Sequence, residues 1–151
     1  MIYKEYIVGD IFTVSACKRI PINAAKKYTE STTLCPLISG TTIHNGLSGY
    51  YYIQPAYKSN IISVGHKTAF YQPVSYTNSL GMMYMDNINL NLYNGLYIVT
   101  VLNKRKVLYN FYYARVTERL KHETISLPSI LVDGVYTPDW DYMTEYIKVR
   151  Y

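Results

Sequence analysis

Cysteine, tryptophan, phenylalanine and carboxylates are all scarce in this 151-residue chain, and each scarcity removes a class of protein. The two cysteines, Cys17 and Cys35, form no CxxC and make a poor disulfide framework, so reduced thiols in a cytoplasmic protein are expected. No apolar run approaches the ~20 residues that a membrane helix requires. No signal peptide follows Met1. Only four carboxylates lie between Tyr6 and Lys121, which leaves metal-assisted hydrolysis without ligands. His44, His66 and His122 have neither the mutual spacing nor the cysteine neighbours of a zinc site, so no metal is expected. The segment Gly40 to Gly46 lacks the Lys-Ser/Thr that completes a P-loop, and no glycine-rich cofactor fingerprint is present. Glu118 with Lys121 and Glu145 with Lys148 faintly resemble nuclease acid–lysine pairs. Both sit at i,i+3 spacing in predicted helices, where ion pairing explains them. Nothing reads as catalytic, and no cofactor is expected.

What is present points to a surface that binds. A chain of this length folds as one domain and buries roughly 70% of its unfolded surface. Its 49% hydrophobic and 17% charged content describe a globular protein. Tyrosine occurs 19 times, against three Phe and one Trp, which suits a recognition surface that is both apolar and hydrogen-bonding. Charge is distributed unevenly. Tyr6 to Lys121 holds 12 basic and four acidic residues, a net +8, whereas His122 to Tyr151 holds two and five, a net −3. A polyanion facing the body and a protein partner for the C-terminal part follow from that division.

The chain is organised around Leu37 to Tyr57. Apolar residues and tyrosines at its two ends make short strands. Between them lie Gly40, Gly46 and Gly49 with Ser39, Thr41, Thr42, His44, Asn45 and Ser48, and Asn45-Gly46 is a strong turn signal. Further strands are predicted at Ile2–Val8, Ile11–Val14, Ile61–Val64, Thr68–Tyr71 and Thr124–Leu127, the last stopped by Pro128. Gly81–Asp86 is a further apolar piece. A helix is predicted over Asn89–Lys104, with Tyr93, Leu96, Tyr97, Thr100 and Val101 on its buried face. Thr137-Pro138-Asp139 opens a C-terminal helix, with Thr137 as cap and Trp140, Met143 and Ile147 as an apolar stripe. Tyr109 to Tyr113, three tyrosines in five residues, reads as core packing before surface.

Three of these stretches resemble one family. ISGTTIHNGLSGYY (Ile38–Tyr51) resembles the segment near the start of a target-recognition domain in the specificity subunits of type I restriction–modification systems, and in related type II proteins. GHKTAFYQPVSY (Gly65–Tyr76) resembles the next pair of strands. ISLPSILVDGVYTPDWDYMTEYIK (Ile125–Lys148) resembles the exit from such a domain. The motifs appear in the family's order and together span nearly the whole chain. The resemblance implies a non-catalytic subunit that binds double-stranded DNA. Methyltransferase and restriction subunits would be its partners, and S-adenosylmethionine would belong only to the methyltransferase. It also implies a C-terminal helix that starts a spacer, joining a second recognition domain or a second copy.

The fold expected is α/β (α+β): one domain with a twisted, mostly antiparallel mixed sheet of short strands, one packed amphipathic helix and a C-terminal exit helix. Residues 1–136 would form the recognition domain and 137–151 the start of the spacer. Side-chain chemistry makes Ser39, Thr41, Thr42, His44, Asn45 and Gln72 candidates for base edges, since Asn and Gln pair well with adenine and Ser or Thr with any base. Lys18, Arg19, Lys58, Lys67, Lys104, Arg105 and Lys106 are candidates for phosphates. Trp140, Met143 and Ile147 are candidates for protein docking. Two other classes stay open at this point: a tyrosine-rich small-ligand or carbohydrate-binding domain, and a nuclease with an unrecognised site.

Overall fold

A computed structural model describes residues 1–18, 34–79, 81–109 and 114–151. Arg19, one of the phosphate candidates, lies outside the described residues, as do Tyr112 and Tyr113. In order, the described elements are β1 (Ile2–Ile7), the helical turn α1 (Val8–Ile11), β2 (Thr13–Ala16), β3 (Leu34–Ile38), β4 (Leu47–Tyr52), β5 (Ile61–Val64), β6 (Ala69–Gln72), β7 (Thr77–Asn78) and β8 (Met83–Asp86). Then come α2 (Leu92–Lys104), α3 (Thr117–His122), β9 (Thr124–Val132), β10 (Val135–Pro138) and α4 (Trp140–Lys148). The expected mixed architecture of short strands is what forms. Its strands divide among three sheets, ordered β1-β9-β10, β2-β8-β5-β6 and β4-β3-β7. Every named pairing is antiparallel except β3 with β7.

One core unites the four-stranded sheet and the β1-β9-β10 sheet with the helices. Ile62, Val64, Tyr71, Met83 and Met85 from the four-stranded sheet meet Ile98 and Leu102 of α2, Leu120 of α3, Ile125 and Leu127 of β9, and Met143 of α4. A smaller cluster, Ile38, Ile61, Tyr76 and Met82, seats the β4-β3-β7 sheet on the edge of the first core.

Helix α2 starts where its cap allows. The Asn91 carboxamide accepts from the backbone of Tyr93 and Asn94, and Asn94 returns a bond to the Asn91 backbone at 2.8 Å. This capping box satisfies donors that a helix end otherwise leaves orphaned. The buried face differs from the one its aromatic spacing predicts: Asn94, Gly95, Ile98, Val99 and Leu102 face inward. Tyr93, Leu96, Tyr97 and Val101 are only half-buried and Thr100 is exposed. Gly95 explains the rotation, because a Cβ there would stand 2.4 Å from the Tyr71 ring. The helix lies too close to β6 for any other residue.

Two sequence expectations in the C-terminal part are corrected. Strand β9 runs through Pro128 to Val132. The Pro128 carbonyl accepts from Asp139 N at 2.8 Å, so its ring nitrogen points to that same side, beyond the end of β10, where the ladder needs no donor. Thr137 and Pro138 pair with β9, and the cap of α4 is Asp139, whose carboxylate accepts from Tyr142 N at 2.9 Å. The β9–β10 hairpin turns at Asp133-Gly134 in left-handed conformation (φ 49° and 79°) and exposes Ile130, Leu131, Val132 and Val135.

Candidate nucleic-acid interface

Strands β3 and β4 form the hairpin that the Asn45-Gly46 signal implies, with a register shift at Leu37/Ile38. Ser39 N donates to Gly46 O at 2.8 Å and closes the base of the loop. His44, Asn45 and Gly46 then take left-handed backbone in succession (φ 54°, 56° and 76°). Glycine is required at 46, because a Cβ would meet Ile38 at 3.0 Å and the Phe70 ring at 3.3 Å. For His44 and Asn45, the same backbone region costs roughly 1–2 kcal/mol per residue. Thr42, His44 and Asn45 are exposed, while Ser39 and Thr41 are half-buried.

The loop lies along the edge strand β6 of the four-stranded sheet. At one end Gly40 approaches Gly65, whose added Cβ would sit 3.5 Å from the Gly40 Cα. At the other end Asn45 Nδ2 donates to Tyr71 O at 3.1 Å and to Gln72 Oε1 at 3.3 Å. Gln72 Nε2 answers with bonds to Asn45 O and to Ser63 Oγ, both at 3.0 Å. Gln72 is 2% exposed, so the structure removes it from the reading surface and makes it part of the loop's support. Asn45 keeps its exposure, but its amide donor is turned toward β6.

The basic candidates separate into distinct groups. Lys58 pairs with Asp86 at 2.8 Å, so its charge is locally answered. Lys18 is exposed, and its backbone N donates to the Tyr57 hydroxyl at 2.7 Å. Lys67 and the Lys104–Lys106 cluster, by contrast, are drawn together. Asn103 clamps both backbone groups of Ala69, donating to its carbonyl at 2.9 Å and accepting from its N–H at 2.8 Å. Arg115, fully buried, donates to Lys67 O at 3.0 Å and to Leu102 O at 3.4 Å. Lys104 and Lys106 remain exposed beside that junction; Arg105 turns back toward Glu123 at 3.5 Å. The loop tip and the basic cluster thus flank β6, at about 3.3 Å of strand per residue.

Glu123 holds this junction and was invisible in the sequence. It is buried, forms a two-pronged ion pair with Arg115 at 3.1 and 3.2 Å, and accepts from the Tyr109 hydroxyl. Tyr109 also lies 4.5 Å beneath the Arg115 guanidinium, which places it in the core. Burial pushes the Tyr109 hydroxyl pKa up, and the neighbouring Glu123 adds to the shift. Arg115, counted above toward the basic body, therefore contributes nothing to a surface field. Alternation along β4 is the sequence signal for a further surface: Ser48, Tyr50 and Tyr52 share an exposed face beside Leu34.

Tyr57, Tyr76 and Tyr84 pack on one another within the domain. Tyr57 lies 5.3 Å from Tyr76 and 5.7 Å from Tyr84, ring to ring. Burial there pushes the Tyr57 hydroxyl up to about 12 and the adjacent Cys17 thiol to about 11. The docking stripe is likewise corrected. Met143 and Ile147 are buried, and Trp140 packs edge-on against Phe12 at 5.9 Å. The apolar face of α4 is spent on the body of the domain, while residues 148–151 are exposed.

The comparisons bear on this geometry. No family model matches the chain. It is 28% identical over 153 residues to the type II restriction enzyme BgcI specificity subunit S.BcgI of Heyndrickxia coagulans, covering 97% of this chain and 43% of that protein. Among solved structures, the type I restriction–modification S subunit from M. genitalium superposes with a TM-score of 0.65 at 12% identity, over 97% of this chain and 37% of that one. The HsdS subunit from Thermoanaerobacter tengcongensis gives 0.63 at 12%, again over 97% and 37%. This is the fold of restriction–modification specificity subunits. The resemblance carried by the three motifs holds, with the chain spanning less than half the length of the specificity subunits it matches. On that fold the first motif is the β3–β4 hairpin, and the second runs from the Gly65 turn through β6. The loop and the strand that supports it are therefore two of the stretches that carry the likeness.

Proposed function

We propose that the chain is a target-recognition domain that binds double-stranded DNA sequence-specifically and takes no part in catalysis itself. The observation that carries this reading is the exposed β3–β4 loop, a stretch shared with specificity subunits, standing beside β6 next to the Lys67 and Lys104–Lys106 cluster. Loop hydroxyls, the His44 imidazole and the Tyr50–Tyr52 face meet base edges and sugars; the lysines meet phosphates and set register. Methyltransferase and restriction subunits are the partners on this reading, and S-adenosylmethionine is theirs to bind. The docking surface for them lies outside the Trp140–Ile147 stripe, which is core. The described residues include no helix long and apolar enough to cross a membrane, and a cytoplasmic setting with DNA fits the reading.

Selection from a random duplex library tests the whole proposal. A recovered consensus, bound with a log–log salt slope of about −0.9 per neutralised phosphate, supports it. Recovery of no consensus, or binding that ignores salt, refutes it.

A further inference from the structure

We propose that Gln72 is the positioning residue for sequence discrimination: it acts through Asn45 and never touches DNA. The inference rests on the reading of the β3–β4 loop as the surface that meets base edges. Three successive left-handed residues at the loop tip, two of them carrying Cβ atoms, are not a conformation that a free loop holds. Something must over-determine it, and the bonds in place do so. Gln72 is buried between the tip and Ser63, with one carboxamide hydrogen on Asn45 O and another on Ser63 Oγ, both at 3.0 Å. Its own Oε1 accepts from Asn45 Nδ2 at 3.3 Å, and the same Nδ2 reaches Tyr71 O at 3.1 Å.

The result is a reciprocal amide pair. Backbone and side chain of Asn45 are both fixed to β6, so the direction in which His44 and Thr42 leave the loop is fixed with them. A buried carboxamide is costly unless its groups are paired, and here both ends are used. Ser63, 1% exposed, also donates to Phe70 O at 3.3 Å, which ties the support to the strand's own ladder. Asn45 is therefore a poor direct reader of adenine, because its donor is committed inward. Its amide serves orientation.

The test compares Gln72→Leu, Asn45→Gly and the double variant in the full chain. Competition binding would use the selected duplex, its single-base variants and an unrelated duplex, with amide hydrogen exchange measured over residues 40–46 without DNA. Leucine keeps approximate volume and deletes the bonds; glycine keeps the left-handed backbone and deletes the amide. Each single variant is expected to lower discrimination at least tenfold across several base positions and to speed loop exchange. Affinity for the unrelated duplex should stay within twofold. The double variant should lose less than the sum of the two single ones, because both remove the bond from Asn45 Nδ2 to Gln72 Oε1 and both release the same loop tip.

A loss confined to one base position in Asn45→Gly, with Gln72→Leu additive to it, makes Asn45 a direct reader and overturns the proposal. Faster exchange with unchanged discrimination overturns it too, leaving the pair merely structural. If Gln72→Leu fails to fold, Ser63→Ala, which frees one side of the carboxamide, must show the same split or the proposal falls. A wild-type chain without sequence preference removes the recognition reading itself, an outcome visible before any variant is made.

Discussion

Strand β6 is four residues long, and its two ends are secured differently: buried charge backs a neutral clamp at one, and neutral amides act alone at the other. At the Ala69 end, the buried Arg115–Glu123 ion pair and the Asn103 clamp lock α2 to the strand. At the Gln72 end, neutral amides alone hold the loop. The first kind of fastening is strong but brittle, since removing one charge strands the other in a dry interior. The second is weaker per bond and geometrically exacting, because carboxamide donors and acceptors must meet in one register. Phosphate contact tolerates small displacements, whereas base reading does not. Neutral, directional bonds stand under the part that must be oriented, and buried charge under the part that must only be held.

The largest test of that contrast is Glu123→Leu. Arg115 would be left buried without its partner, which typically costs 3–5 kcal/mol. Urea unfolding should show a loss on the order of 3–5 kcal/mol, and a loss nearer that of a surface pair would deny the ion pair its role. Next in size is Gly95→Ala. The new methyl group would enter the Tyr71 ring, whose hydroxyl is held on Asn60 at 2.6 Å, and overpacking of this kind costs about 1–3 kcal/mol. Because Tyr71 also presents the carbonyl that Asn45 binds, exchange in the loop should quicken while salt dependence stays put.

Smaller again is Lys104→Ala, expected to weaken all duplexes alike and to reduce the salt slope by about one. Lys58→Ala should change that slope less, because Asp86 already answers Lys58. Anisotropy titrations of the two variants side by side decide it, and equal slopes would return Lys58 to the interface. Smallest is Lys148→Ala. Its exposed pair with Glu145 at 3.4 Å should contribute no more than about 1 kcal/mol in thermal unfolding.

How much of this was legible in advance depended on whether the signal was local. Asn45-Gly46 marks its turn by backbone preference, and the turn formed where the dipeptide stands. Ile61–Val64 is a strand in sequence and in space, because three apolar residues and the small Ser63 are bounded by Asn60 and Gly65. Elements decided by distant partners were misread. The buried face of α2 follows from the Tyr71 ring under Gly95, and Tyr71 is 24 positions away in the chain. Arg115 counts as a surface cation until Glu123, Leu102 and Lys67 are seen around it. Gln72 has the chemistry of a base reader, and only its burial against Ser63 shows that it faces the other way. For the terminal helix, the stripe of Trp140, Met143 and Ile147 was visible, but a stripe does not say which surface covers it.

The left-handed tip carries a consequence for diversification. A position with positive φ accepts a short alphabet, chiefly Gly, Asn and Asp, whereas Thr41 and Thr42 have backbone that suits any L-residue. New specificities should therefore arise by exchanging side chains at 41 and 42, and at Ser48 on the following strand, with 44 to 46 kept as a hinge-free mount. A repertoire built on this domain would be wide at its flanks and narrow at its apex.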